Sequence, residues 1–243
     1  MRLIRYVLAL LPVLPLMATV PSPLTGIKNK VLPAKALVSF RGLYTEKYSA
    51  DYDAWHLAGS GLSKEAFDEA VKGYNFLLQK RSIRNAEVLT IIDYSKPSTQ
   101  KRLFVLDMKE GKTLFKTLVA HGRNSGLNYA TNFSNDEESH KSSLGFYVTG
   151  GTYTGANGYS LKLEGFEKGI NDKAGMRAIV LHGADYVSDA FIRNCGYLGR
   201  SYGCPAVPLA MHKKIIDTIK NGSCMFLYHP TKNYSTRSKI LDR

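Results

Sequence analysis

From Ala86 to Gly183 the chain is divided into short apolar segments rich in β-branched residues and separated by turn residues. "AEVLTIIDY" (86–94), "KRLFVLDM" (101–108) and "TLFKTLVAH" (113–121) come first, then "GFYVTG" (145–150), "YSLKLEG" (159–165) and "RAIVLHG" (177–183). Runs of this length and composition read as strands. "KEG" (109–111) joins the second to the third as a hairpin, with Gly111 supplying the permissive dihedral. "CMFLY" (224–228) reads as a final strand. The pattern therefore predicts a mainly β domain.

Helices frame the strands. Phe67, Ala70, Val71, Tyr74, Leu77 and Leu78 recur at helical spacing behind Ser63, a suitable N-cap, so an amphipathic helix is predicted to about Lys80. "SDAFIRNC" (188–195) suits a short helix after Ser188. Pro208 to Asn221 suits a longer one, with Leu209, Ile215, Ile216 and Ile219 on its apolar stripe and Gly222 as its stop. The expected domain runs over 62–230, preceded by a loop-rich linker (21–61) and followed by a loose tail (231–243). A polar segment from Gly122 to Ser143 reads as a functional or mobile loop.

The amino end resembles an export signal. Arg2 and Arg5 precede the apolar run "YVLALLPVLPLMATV", which is short for a membrane span and contains Pro12 and Pro15. Residues 1–20 are thus read as a signal peptide or an uncleaved membrane anchor, and the protein as exported. A 44% hydrophobic and 22% charged composition excludes a disordered chain. The net charge of +13 fits scattered solvated lysines, an anionic wall or membrane, or nucleic acid, but no nucleic-acid-binding signature accompanies it. Cys195, Cys204 and Cys224 are an odd number for an oxidising compartment. Either Cys195 pairs with Cys224 and leaves Cys204 free, or the first two are unpaired apolar fillers.

Cys204 lies in "LGRSYGCPAVP" (198–208), where Ser201, Gly203 and Pro205 mark a tight turn. A turn can present a thiol and aim its N–H groups at a developing oxyanion. The thiol attacks as thiolate and so needs a base. His182, where the run "AIVLHG" ends in glycine, is one candidate; His121 in "LVAHGR" shares the pattern and is its rival. His182, Asp185 and Cys204 on zinc form a weaker reading, without paired ligand spacing.

His182-Gly183 followed by Ser201-Tyr202-Gly203-Cys204 resembles the signature of the YkuD-type L,D-transpeptidases, a histidine before a [Ser/Thr]-His-Gly-Cys segment. "KSSLGFYV" (141–148) is similar to that family's Thr-Pro-x-Gly-x-[Phe/Tyr] strand. "LTIIDYSKPSTQKRLFVLD", "TLVAHGRNSG", "YATNFSN", "AIVLHGADYVS" and "LGRSYGCPAVP" resemble its murein L,D-transpeptidase catalytic-domain branch. The resemblance covers about 62–230 and implies a β-sandwich thiol acyl transferase acting on peptidoglycan stem peptides, with no metal or organic cofactor. It makes Cys204 the nucleophile and His182 the base. The Gly183 carbonyl, or instead Asp185, would orient the imidazole. The N–H groups of Tyr202, Gly203 and Cys204 would form the oxyanion hole, and a carbapenem would acylate the thiol.

Two positions depart from the family. Tyr202 replaces its histidine, and Ala206 stands where an arginine or asparagine usually follows the cysteine. Arg200 could then supply the charge for a substrate carboxylate. Ser201 would hydrogen-bond near the thiol or close the turn, and the loop bearing Asn124 and Ser125 is a candidate lid. Competing readings are a non-catalytic wall-binding protein with the same fold, a cysteine hydrolase or amidase on another peptide, and a basic nucleic-acid binder.

Overall fold

The computed structural model describes residues 52–242. The expected signal or anchor (1–20) and most of the expected linker lie outside the described residues. The linker's last ten positions are ordered: Tyr52 and Leu57 are buried, and a short helix, α1, spans Leu57–Ser60.

Eight strands form one sheet: β1 Val88–Asp93, β2 Leu103–Asp107, β3 Lys112–Thr117, β4 Gly145–Gly155, β5 Gly158–Gly165, β6 Val180–Ala184, β7 Ala206–Pro208 and β8 Cys224–Tyr228. Their order across the sheet is β3-β2-β1-β8-β4-β5-β6-β7. Pairing is antiparallel except for β1–β8 and β6–β7. After β3 the chain returns to the opposite edge, where Ala120 bridges Ala206 and Gly122 bridges Ser201. The two ends of the sheet therefore nearly meet, and a single coiled sheet supplies both walls of the core. β1 is buried along its whole length, whereas β3 alternates exposed and covered residues, as a strand with one wet face does.

α2 (Lys64–Gln79) packs on β1, β8 and β4. Its N-cap Ser63 accepts from Ala66 N and donates to Asp93 at the end of β1, fixing where the helix starts. Phe67, Ala70, Tyr74 and Leu77 form the buried face. A Cβ on Gly73 would lie 2.0 Å from the Phe146 ring, so only glycine admits that strand so closely. Phe146 in turn stacks on Phe226 at 4.1 Å between centroids. α3 (Asp189–Cys195) is capped by Ser188, and α4 (Leu209–Ile219) buries Ile215, Ile216 and Ile219. Leu209, expected on that stripe, is 53% exposed because the helix begins at the sheet edge.

One expectation is corrected here. The tail is not loose: α5 (Lys232–Ser235) leads to buried Tyr234, Ile240 and Leu241. Tyr234 and Ser238 both donate to the buried carboxylate of Glu167, which also accepts from Phe146 N and so ties the tail to β4. Of the two cysteine arrangements left open, the unpaired one is found, although Cys195 is not a buried filler. Cys195 is exposed at the end of α3 while Cys224 is buried in β8, and all three thiols are free.

Candidate active site

The parallel pairing of β6 with β7 brings His182 opposite Ala206 and seats the preceding turn, Ser201–Pro205, beside the start of β6. The Ser201 hydroxyl donates to Cys204 O at 2.6 Å and accepts from Gly203 N at 3.1 Å. It closes the turn and does not approach the sulfur. Gly203 adopts φ +123°, and a Cβ there would lie 2.9 Å from Lys141 O, so the turn requires glycine.

The Gly203 N–H is thus already committed. Among the described residues the N–H groups of Tyr202 and Cys204 have no acceptor, which leaves two of the three expected oxyanion donors uncommitted.

The half-buried Cys204 thiol rests in a cradle formed by the residues just before β6. Val180 N donates to its sulfur at 3.4 Å, and its S–H points to Ala178 O at 3.7 Å. Ala178 holds φ +50°, a left-handed conformation that costs a non-glycine residue energy and aims its carbonyl at the sulfur. Burial pushes the thiol up from its ordinary range, opposed by the Val180 N–H and by Arg177. A thiol so held would need a base in order to attack as thiolate.

His182 is nearly buried, and its Nδ1 lies 3.0 Å from Gly183 O. That contact fixes the tautomer with hydrogen on Nδ1 and leaves the Nε2 lone pair without a partner among the described residues. Burial draws the imidazole below 6.5, partly countered by the Gly183 carbonyl, and His212 lowers it further. It is accordingly neutral at pH 7. No hydrogen bond joins it to Cys204, whose S–H is turned to Ala178 O. Gly183 also admits α4, since a Cβ there would lie 2.7 Å from the His212 ring.

His121 is differently placed. It is fully buried, with Nδ1 2.7 Å from Arg102 Nη2 and Nε2 3.3 Å from Gly126 O. Burial first, and Arg102 next, push it down to about 3. Both ring nitrogens are engaged, which removes it as a base. Asp185 does not orient His182, because Nδ1 is held by Gly183 O.

The polar loop is pinned to the turn at several points. Ser142 Oγ accepts from Gly122 N and donates to Gly203 O, and Ser125 Oγ accepts from Ser142 N. Ser125 is fully buried, so within the candidate lid it acts as a brace and does not face the substrate. Asn124 is exposed and spends its side-chain amide on Ser139 O. Arg200 donates to Gly126 O at 3.2 Å and stacks over Tyr197. Tyr202 is 64% exposed and lies against His140, with ring centroids 4.5 Å apart.

Sequence reasoning missed Arg177, which it read as the first residue of a strand. The guanidinium donates to Ser134 O, Ser143 Oγ, Ser139 Oγ and Lys141 O, and its charge lowers the pKa of the thiol. No spacing in the sequence marks this role, because its partners come from a loop more than thirty positions upstream.

A half-buried thiol in a glycine turn, uncommitted N–H groups and an imidazole on the adjoining strand are groups that cysteine acyl transfer requires. Residues 58–228 match the family model described as the L,D-transpeptidase catalytic domain, and the chain belongs to that family. No curated protein matches. Among solved structures, the chain is similar to an L,D-transpeptidase from Mycobacterium smegmatis (13% identity, 59% of each chain covered, TM-score 0.37). It is also similar to one from Stackebrandtia nassauensis (14% identity, 76% of this chain and 77% of that one, TM-score 0.36). A further match is a transpeptidase solved in complex with imipenem (11% identity, 58% and 59% covered, TM-score 0.36). The chain spans 59% of the length of the Mycobacterium smegmatis protein.

Proposed function

We propose that the protein is an exported L,D-transpeptidase that acts on peptidoglycan stem peptides through a Cys204 thioester. The observation that carries this reading is a turn-presented thiol seated at the start of β6, the strand that bears His182, whose Nδ1 is held by Gly183 O and whose Nε2 has no partner among the described residues.

In the reaction, rotation about the Cys204 Cα–Cβ bond turns the S–H from Ala178 O toward His182. Nε2 takes the proton, and the thiolate attacks the carbonyl that joins the third stem residue to the terminal D-alanine. The Tyr202 and Cys204 N–H groups receive the oxyanion. The C–N bond then breaks, the imidazolium returns the proton to the departing D-alanine amine, and a thioester remains. An amine of a second stem attacks the thioester and restores the thiol as a 3→3 cross-link forms; water in its place gives the L,D-carboxypeptidase product. Residues 1–20 would deliver or anchor the domain on the outer side of the membrane.

The test is product analysis of the full chain incubated with a stem tetrapeptide ending in D-alanine. Release of one D-alanine per acylation is expected, with dimer formed when an acceptor amine is present and tripeptide alone when it is not. Intact tetrapeptide after incubation with folded protein would refute the reading and favour the non-catalytic wall-binding alternative.

A further inference from the structure

Ala206 cannot contact a substrate. It is fully buried, pairs with His182 and bridges to Ala120, so no side chain at this position reaches a peptide. Positive charge lies instead in an open groove of about 390 Å³ on the Tyr202 side of the turn, walled by Arg123, Tyr186, Phe191, Tyr197, Arg200 and Tyr202.

Each arginine of the groove lies against a tyrosine: the Arg200 guanidinium is 5.4 Å from the Tyr197 ring centroid and that of Arg123 is 5.7 Å from the Tyr202 ring centroid. Among the described residues neither forms an ion pair, so neither charge is neutralised within the fold. Arg200 spends one nitrogen on Gly126 O and, more weakly, Arg123 O, leaving its other N–H groups available. Stacking holds each planar fork ready for two-pronged recognition of a carboxylate.

The groove is held in register with the nucleophile. Arg123 N donates to Ser201 O at 2.8 Å, and Ser201 N donates to His121 O at 3.1 Å. Gly199 lets Tyr186 pack flush, since a Cβ there would lie 2.4 Å from the Tyr186 Cβ. Burial first, and then Cys204, push the Tyr186 phenol up to about 12.

We propose that this groove is the carboxylate-recognition subsite for the acyl-donor peptide, with Arg123 and Arg200 gripping one carboxylate while Tyr197 and Tyr202 receive the adjoining peptide body. The proposal rests on the transpeptidase reading for its substrate. It places specificity on residues outside the cysteine–histidine pair.

Binding to the full-length Cys204→Ala protein tests it, using a stem tetrapeptide whose third residue carries a side-chain carboxylate. Three forms are titrated calorimetrically: both carboxylates free, the terminal one amidated, and the side-chain one amidated. Amidating the gripped carboxylate is expected to weaken binding about tenfold, an ordinary magnitude for a charge-assisted pair, and the form that weakens identifies it. Adding Arg123→Gln and Arg200→Gln should bring all forms to the weaker level. Should the double replacement disturb the fold through Gly126, Arg123→Gln alone carries the test, because among the described residues its side chain makes a ring contact only. Equal binding of the three forms, or discrimination that survives the arginine replacements, would overturn the subsite. D-alanine release by the wild type from the same free peptide reads the reaction separately. Turnover without discrimination sinks the groove alone, whereas discrimination without turnover sinks the reaction and leaves the groove standing.

Discussion

His182→Gln is expected to slow acylation of Cys204 by about a thousandfold, the usual scale for losing a positioned general base, while His121→Gln leaves the acylation rate of the folded protein close to wild type. Both histidines end apolar runs and both precede a glycine, so the sequence treats them alike. Their hydrogen bonds separate them. His121 has one ring nitrogen against Arg102 and the other on Gly126 O, and at about 3 it has little affinity for a proton. His182 gives only Nδ1 to Gly183 O, and its Nε2 has no partner among the described residues. Timed intact-mass measurements of acylation, paired with thermal melts, distinguish chemistry from folding. A large rate loss in His121→Gln with His182→Gln unaffected would move the base to His121.

Arg102→Met is expected to cost about 3 kcal/mol of stability or more, the largest loss foreseen for a single replacement away from the reacting groups. Arg102 is the largest fully buried side chain, and its guanidinium donates to Val119 O and Lys96 O, faces His121 Nδ1 and stacks on Tyr94. Methionine fills similar space but leaves those acceptors without donors, at about 1–3 kcal/mol each.

A pH signature goes with this loss. His121 is depressed to about 3, so between that value and the unfolded value of 6.5 the unfolded chain holds a proton that the folded one refuses. Its contribution to stability is complete above pH 6.5 and drains as pH falls toward 3, at about 1.4 kcal/mol per unit. Removing Arg102 removes one cause of the depression, so the window narrows from its acid end. Urea unfolding at pH 7 and pH 4 measures both effects. A variant as stable as wild type at pH 7, with the same acid slope, would contradict the account.

What the sequence makes legible follows from the range of the interactions involved. α2 and β1 could be read because Ser63, the spacing of Phe67 through Leu77 and the β-branched run are local signals. β7 could not, because three residues carry no period and become a strand only by pairing with β6. The expected third strand ran to His121 but ends at Thr117, since the chain leaves there to bridge Ala206 and close the sheet. Cys204 and the glycine turn stand out from residue types and spacing, but His182 could not be separated from His121 that way, and only the family resemblance favoured it. The role of Ser201 could not, because whether a hydroxyl faces a sulfur or closes its own turn is decided by one rotamer. The tail was misread for a related reason. "YSTRSKIL" looks polar, and its anchor is a buried carboxylate far upstream at Glu167.

The most direct test of the central claim is intact-mass spectrometry of the full chain after incubation with a carbapenem, wild type beside Cys204→Ala. Acylation opens the lactam ring onto sulfur without loss of atoms, so the account predicts one adduct of the full mass of the antibiotic on the wild type and none on the folded variant. An adduct that persists in Cys204→Ala, or an unmodified wild type that is demonstrably folded, would contradict it.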